Sequence, residues 1–283
     1  MEREGFVDSE TNSKGGSELT MKGMNFRIFV LVFVVYGFLT SVPSVGQNLV
    51  LSNEAKILLD KIEQATKGKI VEINYIKDVF WREDRKPAGH RQICRLIFSS
   101  SGNFFHDIKD LDKDNKRTLR HLIYYYDGEA LTHYRVEKKL YHQTVPPEEA
   151  KERYWWWVVI SSVFPPPRKY LEELKEYEKK QKLQVETKIS LTKTKLGSKN
   201  VNLLTISSNS PNPKVLTSVK KYWLDSKTNL PLKVEIYVDK WLEVYEIKSV
   251  AIKPYTSNDI FVFKPPKEAE ETDNSKEVLE YEP

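Results

Sequence analysis

Apolar positions along this 283-residue chain change period several times, and each change marks an element. Between Ser52 and Ala65, the residues Ala55, Leu58, Leu59, Ile62 and Ala65 recur at steps of three and four, the spacing of one helical face. Ser52 or Asn53 offers an N-cap, and Gly68 follows just past the end. At Lys69 the period becomes two. Val71, Ile73 and Tyr75 alternate with Glu72, Asn74 and Ile76, which predicts a strand reaching Trp81 before the polar loop Arg82–Gly89. Ile93–Phe98 and Asn103–Ile108 predict two more strands, and His121–Tyr126 and Ala130–Val136 flank the hairpin pair Asp127-Gly128. Helical spacing returns from Glu148 to about Val163, closed by Pro165-Pro166-Pro167, and a charged helix, Tyr170–Lys182, follows. Thereafter Leu183–Leu191, Val201–Ser207, Thr217–Leu224, Leu232–Val238 and Trp241–Ile252 read as strands, with turns at Asp225–Asn229 and Asp239-Lys240.

One helix, a run of strands, a central helical insertion and a second run of strands predict an α+β fold. Short turns between consecutive strands make a long antiparallel meander. Strongly curved, such a sheet is an unclosed half-barrel with helices packed on its concave face. An apolar concave face closed by movable helices suits a hydrophobic ligand. The expected inward positions are Val71, Ile73 and Tyr75 on one strand and Val234, Ile236, Trp241 and Tyr245 on others. A register slip of one residue would turn them all outward.

The stretch Tyr154–Phe164 reads YWWWVVISSVF, apolar all round except for Ser161 and Ser162. Successive helical side chains point ~100° apart, so Trp155, Trp156 and Trp157 cannot share one core-facing stripe. Two readings stand. The segment plugs the end of the barrel, or it is a lid over an apolar cavity that can also meet a lipid surface. As a lid it comprises Trp155, Trp156, Trp157, Val158, Ile160 and Phe164, hinged on the stiff prolines that follow.

Near the start, Ile28–Leu39 is an uncharged run of twelve, preceded by Lys22 and Arg27 and followed by the small-residue site Ser44-Val45-Gly46. That is the order of a secretory signal peptide cleaved after Gly46. A membrane span needs ~20 apolar residues, so an uncleaved inner-membrane anchor is the alternative. Met21 or Met24 is the expected start. Residues 1–46 are thus an extension and signal peptide, 47–266 one lipid-binding domain, and 267–283 an acidic disordered tail.

Charge sharpens this division. The formal net charge of +5 conceals a body, residues 47–264, with 39 basic and 28 acidic residues. The last 19 residues hold seven acids and two lysines. Anionic head groups suit the basic body, whereas export argues against nucleic acid as a partner.

Residues for covalent chemistry are missing. A single cysteine, Cys94, excludes an intramolecular disulfide, and an apolar strand makes it a packing residue. The five histidines form no metal-binding motif, and there is no GxSxG, Walker loop or GxGxxG. His121 and His133 flank a hairpin and are expected, at most, to meet as a surface pair. No enzyme activity, cofactor or metal is expected.

The stretch Lys221–Pro266 resembles the end of outer-membrane lipoprotein-sorting (LolA-like) proteins. Its motifs are Trp223-Leu224-Asp225, Thr228-Asn229-Leu230-Pro231, the strands Leu232–Tyr237 and Trp241–Ile247 around Asp239, and Ile260-Phe261-Val262-Phe263 before Pro265-Pro266. The resemblance implies an unclosed barrel filled by helices, and a periplasmic, monomeric carrier whose cavity takes lipoprotein acyl chains or another lipid. Relatives of the sensor type imply an alternative, a domain that binds a protein partner in the cell envelope. Two departures stand out. Arg91–Phe98 lacks the family's Pro and its aromatic-Arg-aromatic element, whose Arg helps lock the lid, and the lid is rich in Trp rather than Leu.

Overall fold

The structure, a computed structural model, describes residues 49–112, 114–146, 159–180, 185–210 and 217–279. The expected signal peptide, the tryptophans at 155–157 and Val158 lie outside them.

After a short strand β1 (Leu49–Leu51) comes helix α1 (Asn53–Thr66), which starts where its cap predicts. The Ser52 hydroxyl accepts from the Ala55 amide at 3.2 Å, and Gly68 takes the left-handed φ of 66° that ends the helix. Ala55, Leu58, Leu59 and Ile62 are buried as expected, but Thr66 rather than Ala65 completes the stripe. At 3.6 residues per turn the stripe drifts round the helix, and position 66 lies one further i+4 step from Ile62.

The first run of strands is β2 (Lys69–Trp81), β3 (Gln92–Ser99), β4 (Phe104–Leu111), β5 (Thr118–Tyr126), β6 (Leu131–Arg135) and β7 (Leu140–Thr144). Asp127 shapes the β5–β6 turn by accepting the amides of Glu129 and Ala130, with Gly128 at φ 101°. The insertion follows. Its described part is a single 3-10 turn, Ile160–Ser162, where the sequence predicts a helix running to Val163, and then helix α2 (Arg168–Lys180). The second run is β8 (Glu186–Leu196), β9 (Lys199–Asn209), β10 (Ser218–Asp225), β11 (Pro231–Val238) and β12 (Trp241–Pro254). The Thr-x-Leu-Pro turn between β10 and β11 has a plain physical basis. The Asp225 carboxylate accepts from the amides of Lys227 (3.0 Å) and Thr228 (2.8 Å), and Asn229 takes a left-handed φ of 58°.

All strands belong to one sheet in the order β1-β8-β9-β10-β11-β12-β2-β3-β4-β5-β6-β7, followed by β13 (Glu270–Glu271). Two meanders meet at the long antiparallel β12–β2 pair. Among the described strands, only the outermost pairs, β1–β8 and β13–β7, are parallel. β1 and β13 stand at opposite edges and do not pair, so the sheet is curved but unclosed, as the sequence pattern implies.

The core lies on one face, called inner below. Helix α1 covers it over Val71, Ile73, Phe98, Leu204, Tyr222 and Val234, with Ile160, Val163 and Phe164 in the same cluster. On the outer face the Phe263 ring sits 5.0–5.5 Å from those of Tyr125, Tyr134 and Tyr141. Residues 267–279 differ from the disordered tail expected. β13 pairs with β7, and helix α3 (Ser275–Leu279) buries Val278 and receives a hydrogen bond from Arg120 Nη1 to the Leu279 carbonyl. The strap shields what would otherwise be a bare sheet edge.

Candidate functional site

Strand register decides which predicted site residues meet. Tyr245 stands opposite Val234 on β11 and Lys77 on β2, and Trp241 stands opposite Trp81. Alternation then puts Val71, Ile73, Tyr75, Val234, Ile236, Trp241 and Tyr245 on the inner face together. Six of the seven are buried. Trp241 is only half-buried, at the sheet's end, where it stacks on Trp81 with ring centroids 4.1 Å apart.

Of the expected lid, Ile160 and Phe164 are described, and both are fully buried against this face. Phe164 meets Phe98 edge-on at 5.3 Å. The segment between them is pinned to the sheet by polar groups. Lys220 Nζ donates to Ser161 Oγ at 2.8 Å, and the Tyr222 hydroxyl donates to the Ser161 carbonyl. Ser161, one of the two serines that break the apolar run, is therefore a point of attachment.

Beside this latch lies a second polar group. Lys77 pairs with Glu243 at 2.8 Å, and the Tyr245 hydroxyl donates to the same carboxylate. Burial alone would raise the Glu243 carboxyl, but the Lys77 charge and the hydrogen bonds from Lys77 and Tyr245 hold it below its ordinary range. Lys220 behaves oppositely. Burial pushes its amine down to about 7, against a smaller upward pull from Glu243. In the register Ile236 stands between Lys220 and Glu243, so their backbones are two strand spacings, ~10 Å, apart.

Sequence reasoning missed Lys220, Tyr222, Lys77 and Glu243. For Lys220 the signal was present: it shares parity with Tyr222 and Leu224, the dry side of β10. Arg91 and Arg95 pair with Asp78 and Glu72, and Arg95 lies on the outer face, opposite Asn74. His121 and His133 do not meet either. His133 stands opposite Tyr124, which leaves His121 on the other face, bonded to Asp107. Burial raises the Cys94 thiol to about 12, so it stays protonated. No group of metal-binding side chains occurs among the described residues.

A crevice of about 50 Å³ runs between α1 and the sheet beside Ile62, Phe164, Leu230 and Ile252. Ligand pockets usually hold ~300–1,000 Å³. A larger groove of about 310 Å³, lined by Ile76, Ile93, Arg95 and Lys109 among others, opens on the outer face instead. Ile160, Val163 and Phe164 cover part of the described inner face.

No protein-family model and no curated protein matches this chain. Solved structures do. A conserved protein from Thermus thermophilus is similar at 9% identity and TM-score 0.42, over 78% of this chain and 99% of that one. An outer membrane lipoprotein-sorting protein domain from Vibrio parahaemolyticus is similar at 10% identity and TM-score 0.34, over 74% and 97%. MucB in the Pseudomonas aeruginosa MucA/MucB complex is similar at 11% and 0.36. There the match covers 75% of this chain and 61% of the other, less than two thirds of its length. The architecture rests on the strand order and registers above.

Proposed function

We propose that this protein is exported to the periplasm and binds a lipoprotein acyl chain or another lipid on the inner face of its sheet, without covalent chemistry. The observation that carries the reading is the state of residues 160–164. They are buried like core, yet they form one 3-10 turn rather than a packed helix, held to the sheet by hydrogen bonds that include those from Lys220 and Tyr222 on β10. Such a segment can leave the face without dismantling a strand or α1. It occupies the ground a ligand would take, over Phe98, Leu204, Tyr222 and Val234. Each acyl methylene buried there in its place contributes ~0.8 kcal/mol.

Native mass spectrometry of the purified protein, with and without a diacylated peptide, tests this directly. Bound lipid, or uptake of the peptide with a change in tryptophan fluorescence, supports the reading. A protein that carries no lipid and ignores the peptide refutes it.

The burial of residues 160–164 on the inner face also supports a second reading, an envelope sensor or scaffold domain that binds a protein partner. A crosslink from residues 154–164 to a defined envelope protein, in a chain that takes no lipid, would favour it.

A further inference from the structure

The strap covers only part of the sheet edge it lies on. Strand β7 runs from Leu140 to Thr144, yet β13 pairs with its first two residues alone, Glu270 with Leu140 and Glu271 with Tyr141. The Glu270 and Thr272 amides donate to the Lys139 and Tyr141 carbonyls at 2.9 Å each. Past that point the strap turns away. The Thr272 carbonyl accepts from His142 Nδ1 at 2.8 Å, and the side chains of Thr272 and Asn274 then bond Glu277 and lead the chain into α3. Gln143 and Thr144 are exposed, Val145 just beyond them is 70% exposed, and among the described residues no strand runs beside them. Such an edge is a template for another strand.

The strap is also built to come off. Phe263 anchors the chain on the outer face, and Arg120 holds the Leu279 carbonyl from the inner one, so the strap wraps the edge and is fixed on either side of it. Helix α3 is five residues long, with Val278 its buried residue, and Glu270 and Glu271 are exposed. Leaving the edge therefore disturbs no core strand.

What lies on the edge shows the chemistry it accepts. Residues 267–279 hold five acids and two lysines, and they lie beside the pair Lys138-Lys139. Lys139 reaches Glu268 at 4.0 Å, and the Tyr141 hydroxyl donates to Glu271 at 3.3 Å. Tyr141 and Val145 share a parity, and with it the outer face on which Phe263 sits. An occupant of the whole edge thus brings acids over Lys139 and Tyr141, and an apolar residue four positions later over Val145.

We propose that the β7 edge docks an extended acidic segment of a partner protein, which adds as a strand parallel to β7 in place of β13. The inference is independent of whether the inner face binds lipid. A tethered segment acts at an effective concentration of about millimolar order. The strap of a second copy would make the same two backbone bonds without that advantage, and so loses to the resident one. A segment paired along the whole of β7 makes more ladder bonds and covers Val145, which is what displacement requires. Backbone bonds then supply affinity, and alternate side chains supply specificity.

NMR titration of the isotope-labelled whole protein with a peptide EAEETVTVT, which continues Glu268–Thr272 as an alternating strand, tests this. The reporter is the Gln143 amide, which shares the edge-facing parity of Tyr141. Wild type should bind at about 10 mM peptide or below, where the peptide rivals the tethered strap. The charge-reversed peptide KAKKTVTVT should bind at least about tenfold more weakly. Methylating the peptide amides equivalent to Glu270 and Thr272 should cost about tenfold or more, whereas methylating the Glu271 equivalent, which faces away from β7, should cost about threefold or less. Val278→Asp, which frees α3, should bind EAEETVTVT at least about tenfold more tightly. No binding to wild type in that range overturns the proposal. Equal losses from all three methylations overturn strand addition, and equal binding of KAKKTVTVT overturns the acidic preference. Dimers of Val278→Asp that the peptide does not dissociate would assign the edge to a second copy and overturn the partner. The wild-type comparisons decide even if that variant misfolds.

Discussion

Replacing Ser161 by alanine removes one oxygen from a fully buried position, and its effect depends on what Lys220 carries. At pH 6 the Lys220 amine, with its value near 7, is mostly protonated. Ser161→Ala takes an acceptor from a buried ammonium, a loss of ~2 kcal/mol. The Ser161 carbonyl still accepts from Tyr222 after the substitution. A change of ~2 kcal/mol raises the opening equilibrium of the plug about 30-fold. Hydrogen exchange reads that opening through the amides of Val163 and Phe164, which donate to the Ile160 carbonyl at 3.1 and 2.9 Å. In a Lys220→Met background no ammonium is left to strand, so the same substitution should accelerate exchange only about twofold. At pH 9, where Lys220 is largely neutral, the wild-type background should behave like the methionine one. Equal acceleration in both backgrounds at pH 6 would refute the latch, because the serine would then contribute packing alone.

Other consequences can be measured with less. Phe164→Ala should destabilise the closed form by ~3–5 kcal/mol and strengthen binding of an apolar probe, whereas Leu59→Ala, also fully buried, should lower the melting temperature with no gain in binding; identical behaviour would mean that Phe164 is ordinary core. Lys220 has an ordinary amine value of 10.5 when unfolded and about 7 when folded, so the cost of burying its charge is present in full below about 7 and is lifted as pH rises toward 10.5. Wild-type stability relative to Lys220→Met should accordingly rise by a few kcal/mol between pH 6 and 10, and a constant difference in urea melts would contradict the burial. Val278→Asp should release the C-terminal strap and expose the β7 edge, seen as faster proteolysis after residue 266 and concentration-dependent association; unchanged protease protection would count against the strap. Asp225→Ala should cost ~1 kcal/mol and Asp225→Asn distinctly less, because only the alanine lacks an oxygen for the Thr228 and Lys227 amides.

How much of this was legible in the sequence follows from how local each cause is. The Ser52 cap, the Asp127-Gly128 turn and the period-two run of β2 are set by residues within a few positions of one another, and the structure has them where the pattern predicts. Strand β7 went unread. Leu140–Thr144 has no apolar alternation, follows Lys138-Lys139, and acquires its structure from β6 on one side and the distant β13 on the other. The inner-face apolar positions could be named because burial on one face forces a parity that the sequence displays. Parity also places a residue that composition hides: strict alternation in Lys220-Lys221-Tyr222-Trp223 puts Lys220 with Tyr222, inside, although a lysine is rarely buried. The histidine pair failed for a different reason. Tyr126 opposite Leu131 fixes the register, and residues on one face of this hairpin must then differ by an odd number across the strands; 121 and 133 differ by an even one. Both cases concern polar residues on a sheet, where the hydrophobic pattern is silent and the pleat alone decides. The polar floor of the inner face was therefore the part least visible in the sequence.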